Sequence, residues 1–277
     1  MLVHVQGLPV ALKDFHDLSW LDGLGQVFEV FDQMTGGTLG FGVMRQDEAL
    51  FIKYAGASPV NYSGRPEAAV QQLRRAAEHY AALQHPALVR LRFSQELPDG
   101  FLCAFQWEGA AALAPMPDAM RRLLEAPVLD KLRIMDSMLD LHAQTEARGL
   151  AIAGLTDSHL LYDAAGVRLI LCSLDQYMSI PARNTRGRLP GSPYYLPPEA
   201  YQLGAGIDET TSVYALGMLA FLLFGDRLRP DRHTWQVSPA LYAVAAQAIQ
   251  NDRNKRYQST AELQEAWRSA VRSSPWA

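Results

Sequence analysis

Residues 148–177 read RGLAIAGLTDSHLLYDAAGVRLILCSLDQY, and the fold is read outward from this stretch. Leu160, Leu161 and Tyr162 form one short extended run and residues 167–171 a second, with Asp163-Ala164-Ala165-Gly166 as the hairpin turn between them. Ahead of the stretch, Leu132, Met135, Leu139 and His142 recur at helical spacing on one face, and Gly149 can close that helix. The loop entering the hairpin, Ile152-Ala153-Gly154, carries no acid.

Toward the N-terminus the pattern becomes that of strands. Residues 27–31, 39–44 and 50–54 are apolar runs separated by Thr35-Gly36-Gly37 and by Gln46-Asp47-Glu48, which predicts a small antiparallel sheet. Val70, Leu73, Ala77 and Tyr80 then predict a helix from Pro66 to Leu83, stopped by His85-Pro86. Leu88 to Leu91 returns to strand, and after Pro98-Asp99-Gly100 a last strand runs from Phe101 to Trp107. Past Glu108-Gly109 helices dominate, with no long Gly/Ser or charged linker, so the change reads as a boundary between lobes. Thr210 or Thr211 is the expected cap of a helix over residues 213–224, and Ser259-Thr260-Ala261-Glu262 a capping box opening the last helix. The expected class is α+β: a mainly antiparallel N-lobe with one helix over about residues 25–108, and a larger, mainly helical C-lobe over about 109–277. Residues 1–24 form an extension that Trp20 and Leu21 are expected to pack onto the sheet.

Composition narrows the function classes. The chain has 277 residues, 49% of them apolar, which is ample for a core, and a net charge of −4 gives no bulk attraction for nucleic acid or an anionic membrane. Cys103 and Cys172, both inside apolar runs, are expected to be buried and reduced, which implies a reducing cytoplasm. The first residues lack a basic head followed by an apolar stretch, so no signal peptide is expected, and the longest apolar helix falls short of the about 20 residues a bilayer requires.

Six motifs then fall in a recognisable order. They are Leu50-Phe51-Ile52-Lys53, the run from Leu83 to Leu91, Phe105-Gln106-Trp107-Glu108-Gly109, the run from Gly191 to Glu199, Ser212-Val213-Tyr214-Ala215-Leu216-Gly217, and the run from Asn251 to Tyr257. In that order and at those spacings they resemble the protein kinase superfamily, in particular eukaryotic-type Ser/Thr kinases as found in bacteria, over nearly the whole chain. The resemblance implies that fold, an ATP site at Lys53, the Gly36/Gly37 turn and a hinge of Gln106, Trp107 and Glu108, and a buried ion pair between Glu199 and Arg256. Taken alone, a Lys ending an edge strand is a solvated charge; its place in the series reverses that reading.

The same alignment shows what is missing. A kinase needs a carboxylate to orient and deprotonate the attacking hydroxyl and oxygen ligands for Mg²⁺. Here the base position is Gly154, and the asparagine position is His159, whose imidazole suits Mg²⁺ poorly. The metal-ligand triplet reads Leu171-Cys172-Ser173 or Ser173-Leu174-Asp175; the second register is preferred because it lets the strand finish, and it puts Ser173 in the ligand position. The Gly-x-Gly-x-x-Gly spacing of a phosphate loop is absent, and the turn at Gly36 and Gly37 reads as a plain β-turn. Ala76 stands where the glutamate partner of the lysine belongs, with Glu78 roughly 200° around the helix.

Losing a general base costs about 10²–10⁴ in rate. The reading that follows is a cytoplasmic pseudokinase, a regulatory or binding module with a protein partner and with weak or no binding of ATP, with or without Mg²⁺. The alternative is an atypical phosphotransferase in which Asp157 serves as base and Asp175 as metal ligand, although Asp157 beside Thr156 and Ser158 also reads as a turn or cap residue. A third reading is an ordered scaffold whose cleft is filled by its own side chains.

Overall fold

The structure, a computed structural model, describes residues 1–274. The protein is mixed α+β, with antiparallel sheets and six α-helices among the described residues. It divides into two compact units: Met1–Gln84 with Val89–Gly109, and His85–Leu88 with the chain from Ala110 onward.

The first unit begins with a hairpin, β1 (Leu2–Val5) and β2 (Leu8–Ala11). Its two-residue turn, Gln6 and Gly7, has φ of 50° and 87°, the paired positive values that match a hairpin's right-handed twist. A five-stranded antiparallel sheet follows, made of β3 (Gln26–Phe31), β4 (Thr38–Arg45), β5 (Glu48–Ala55), β6 (Leu91–Leu97) and β7 (Gly100–Gln106), in the spatial order β3-β4-β5-β7-β6. Residues 88–90 are therefore not strand, contrary to expectation. The strand starts at Leu91, and Leu88 instead makes a bridge to Leu171 within the second unit.

Side chains alternate across a strand, so Leu50, Ile52 and Tyr54 share one face of β5 and Phe51, Lys53 and Ala55 the other. The first face is covered by the N-terminal extension. Val5, Val10, Leu12, Leu18 and Leu21 join Leu39, Phe41, Val43, Leu50, Ile52 and Tyr54 in one buried cluster, and the Trp20 ring lies 4.8 Å from Tyr54. Each aliphatic side chain buried there contributes about 1.5–3 kcal/mol. On the other face lies α1 (Pro66–Ala82), with Pro66 in its first turn and Ala69, Leu73, Ala76, Ala77 and Tyr80 buried. Tyr80 meets Phe105 edge-on at 4.8 Å.

The second unit carries β8 (Ala111–Ala112), α2 (Pro117–Glu125) and α3 (Val128–Glu146), then β9 (Leu150–Ile152), β10 (Leu160–Asp163), β11 (Arg168–Leu171), β12 (Tyr177–Ser179), β13 (Ala182–Arg183) and β14 (Gly206–Ile207). Three helices complete it: α4 (Glu209–Phe224), α5 (Pro239–Ala248) and α6 (Thr260–Arg272). α4 is buried almost all round, as an apolar helix without a polar face must be. No helix among the described residues is long and apolar enough to cross a membrane. The cap of α4 is Asp208, not Thr210 or Thr211. Its carboxylate accepts from Thr210 N at 3.0 Å, while the Thr211 side chain accepts from Asp208 N. Ser259 caps α6 by accepting from Glu262 N, and Glu262 turns back to Gln258 N rather than to Ser259. Both cysteines are thiols; Cys103 is buried, but Cys172 is only partly so, because β11 ends one residue before it.

Candidate functional site

In the first unit the candidate residues gather on the Lys53 face of the sheet. Lys53 is not at an edge: β5 is the central strand, and Lys53 lies opposite Gly40 on β4 and Cys103 on β7, 3% exposed. Ala76 of α1 is buried, whereas Glu78 is exposed on the outer side of that helix. A helix packed on a sheet through alanines leaves no room for a displaced register, so Glu78 is not turned toward the sheet.

Beside Lys53 the face is aromatic. Gly40 and Gly42 leave two gaps on β4, and rings fill both. A Cβ on Gly40 would lie 2.8 Å from Phe51 Cζ, and one on Gly42 would lie 2.5 Å from Phe28 Cε2. Phe28, Phe31, Phe51 and Trp107 pack together, with ring centroids 5.0 Å apart for Phe28 and Trp107 and 5.6 Å for Phe31 and Phe51. Without a Cβ at these two positions the rings lie directly on the backbone, and any larger residue would require them to shift.

The Gly36/Gly37 turn is not an open cradle. Gly37 has φ +80°, and a Cβ there would lie 2.7 Å from both Ala69 and the Tyr62 ring, so α1 and Tyr62 pack directly against the turn. Backbone N–H groups can hold a phosphate only if it can reach them. In the hinge stretch, Gln106 N donates to Arg90 O at 2.9 Å and Trp107 N to Ala49 O at 3.1 Å, while Glu108 is half-buried. On this face the Phe51 and Phe28 rings lie on Gly40 and Gly42, and the N–H groups of Gln106 and Trp107 are engaged within the first unit.

In the second unit β10 and β11 form the expected hairpin, with β8 on its other edge. Asp163 organises the turn, accepting from Gly166 N at 2.9 Å and from Arg168 at 2.8 Å. The Gly166 N–H and then the Arg168 guanidinium hold its carboxyl below the usual range. β9 pairs with β12, closing the loop that carries Gly154. Ser212 at the start of α4 accepts from Ile152 N at 2.9 Å and fixes the loop's entrance. Its exit is held by His142. A carbonyl only accepts, so His142 Nδ1–H donates to Met138 O at 2.6 Å, and Nε2 must accept from the Tyr177 hydroxyl, also at 2.6 Å. Burial lowers the pKa of His142 to about 4.

Gly154 lies between other parts of the chain. A Cβ there would be 2.8 Å from Gln176 Cβ and 3.3 Å from Pro190 O, and a Cβ on Gly191 would be 2.9 Å from Gly154 Cα. Two glycine backbones touch here, and Ser192 N donates to Leu155 O at 2.9 Å. Asp157 opens a short 3₁₀ turn but caps nothing. Its Oδ1 accepts from Arg227 Nη1 at 2.6 Å and from the Tyr195 hydroxyl at 2.7 Å. Neither the turn nor the cap reading anticipated that partner, because Arg227 lies 70 residues away. Burial, and next the charge of Asp157, push the Tyr195 phenol up.

His159 ends the same 3₁₀ turn, its carbonyl accepting from Cys172 N, and Ser173 is buried. Asp175 is half-buried in the turn between β11 and β12. Among the described residues no three His, Cys, Asp or Glu side chains gather where a metal ion could be held. Glu199 and Arg256 meet through two parallel hydrogen bonds, Nη1 to Oε1 at 2.7 Å and Nη2 to Oε2 at 2.9 Å, with their side chains 7% and 0% exposed. The Thr211 hydroxyl donates to Glu199, and the carbonyls of Thr210, Gln250 and Asn251 accept from Arg256.

A scan against protein-family models finds no match to this chain, and a search of curated proteins likewise finds none.

Proposed function

We propose that the chain is a pseudokinase: a protein-kinase-like fold of two lobes that serves in the cytoplasm as a regulatory or binding module for a protein partner, without phosphoryl transfer. Supporting this reading are the ordered motif series, a first unit of antiparallel sheet with one helix, a second unit rich in helices, and the bidentate Glu199–Arg256 pair. The observation that carries it is the Phe51 ring lying against Gly40, the residue opposite Lys53. A purine stacked on this face would have to displace that ring. With Gly154 at the base position and Asp157 committed to Arg227, neither the ordinary base nor its candidate replacement is placed for proton transfer.

The test is a thermal melt with ATP, with and without Mg²⁺ or Mn²⁺, run beside an assay for transfer of labelled γ-phosphate. No transfer and no rise in Tm are expected for the native chain. Phe51→Ala is expected to produce a nucleotide-dependent rise in Tm without transfer. Transfer by the native chain, abolished in Asp175→Ala, would overturn the proposal in favour of an atypical phosphotransferase.

A further inference from the structure

We propose that the surface formed by residues 183–189 and 201–205 of the second unit is a docking site for an acidic polypeptide segment bearing one apolar side chain. This goes beyond the binding-module reading by giving the surface and the partner's chemistry, and it stands whether or not a nucleotide binds.

The sequence supplies the charge. From Gln176 to Pro198 there is no Asp or Glu, while Arg183, Arg186 and Arg188 fall within six residues, in a chain whose net charge is −4. Several arginines elsewhere in this unit meet carboxylates: Arg227 meets Asp157, Arg253 meets Asp208, Arg256 meets Glu199 and Arg268 meets Asp136. The three on this surface do not. Arg183 donates to Gly204 O at 3.0 Å, Arg188 to Leu189 O at 3.3 Å and to Gly191 O at 3.1 Å, and the Arg186 side chain has no hydrogen bond or ion pair among the described residues. Carbonyl acceptors orient a guanidinium without neutralising it, so three positive charges stand exposed together.

The loop that presents them is rigidly built. Asn184 is fully buried; its amide donates to Gly187 O at 2.7 Å and Ala200 O at 3.2 Å, and its Oδ1 accepts from Arg186 N at 3.0 Å. Its backbone exchanges two hydrogen bonds with the second segment, Asn184 N to Ala205 O at 2.8 Å and Gly204 N to Asn184 O at 2.7 Å. Such an arrangement loses little conformational entropy when a partner binds.

Beside the charges lie two apolar groups. Leu203 is 74% exposed, next to the Gly204 carbonyl that holds Arg183, and Tyr201 is 44% exposed beneath the Arg188 guanidinium at 5.9 Å. Arginine and tyrosine around an apolar centre make up the composition of protein interfaces. Charge complementarity selects an acidic partner. Leu203, 74% exposed, favours a polypeptide over a nucleic acid, because an apolar side chain can cover a leucine and a phosphate backbone cannot.

The test uses the full chain and a fluorescein-labelled peptide of glutamates with one central leucine, followed by anisotropy. Binding is expected at low ionic strength and is expected to weaken about tenfold or more at about 0.5 M salt. Arg186→Glu, which breaks no internal bond, is expected to weaken binding about tenfold with an unchanged melt. Leu203→Ser is expected to weaken it several-fold at an unchanged salt slope, and serine in place of the central leucine of the peptide should cost the same and not add. Failure of the peptide to bind, indifference to Arg186→Glu, or equal or tighter binding of a single-stranded oligonucleotide of matched charge would each overturn the proposal. None of these outcomes depends on the ATP experiment.

Discussion

Two regions of the second unit make opposite use of the same kind of interaction. Glu199 and Arg256 form a buried pair in which both charges are bidentate and fully hydrogen-bonded, and their residues were singled out by sequence alone. Around Gly154, by contrast, the loop carries no carboxylate, and the nearby Asp157 is drawn into an ion pair with Arg227 that no local pattern announces. The first region joins distant segments through charge. The second joins them through backbone packed on backbone, which only glycine permits. On the proposed reading, the contacts that hold the fold are present while those that move phosphate are replaced by packing.

The largest expected effect tests the first region. Glu199→Ala leaves Arg256 buried without its partner, which costs about 3–5 kcal/mol, and for a chain of this size about 2–4 °C is lost per kcal/mol. A melt should therefore fall by about 10 °C; an unchanged Tm would show that the pair is not a structural anchor.

The next effect tests what holds the exit of the Gly154 loop. His142 is buried and neutral with a pKa of about 4, against 6.5 when exposed. Between those values the unfolded chain takes up the proton and the folded chain does not, so stability contributed by this site is intact above about pH 6.5 and falls as the pH drops toward 4. The difference amounts to about 3 kcal/mol at the acid end. Stability measured by denaturant between these limits should decline with acid, and His142→Gln should flatten the decline by that amount. An identical slope in the variant would refute the assignment.

The smallest tests the loop itself. Gly154→Asp puts a carboxylate where the proposed reading assigns the base, but its Cβ would meet Gln176 Cβ at 2.8 Å, an atom close to the backbone that cannot swing away. A loss of about 1–3 kcal/mol is expected, as for other overpacked sites, with no phosphoryl transfer gained. A stable variant that transfers phosphate would show that only the acid had been lost, and that the surrounding packing does not bar the chemistry.

Much of the architecture was legible because it depends on local pattern. Alternation in residues 48–55, the helical spacing of Leu73, Ala77 and Tyr80, and the turn at Asp163 and Gly166 place strands, helix and hairpin close to where they lie. The opening hairpin was not anticipated, although Gln6-Gly7 between Val3, Val5 and Val10 carries its signal, and neither was Asp208 as the cap of α4. Lys53, which taken alone reads as a solvated charge ending an edge strand, is buried on the central strand, since strand order is not encoded within any one strand.

The sequence by itself determined which segments become strands and helices, which side of each is apolar, and that residues 152–154 carry no acid, because these follow from side-chain type and short-range spacing. Only the tertiary structure decided that Phe51 lies on Gly40, that Tyr62 and Ala69 close the Gly37 turn, that Gly154 abuts Gly191, and that Asp157 belongs to Arg227. Each of these depends on two positions distant in the chain arriving at the same place. The physical reason is that neither the volume one segment excludes nor the partner a charge finds is written in the residues on one side of the contact.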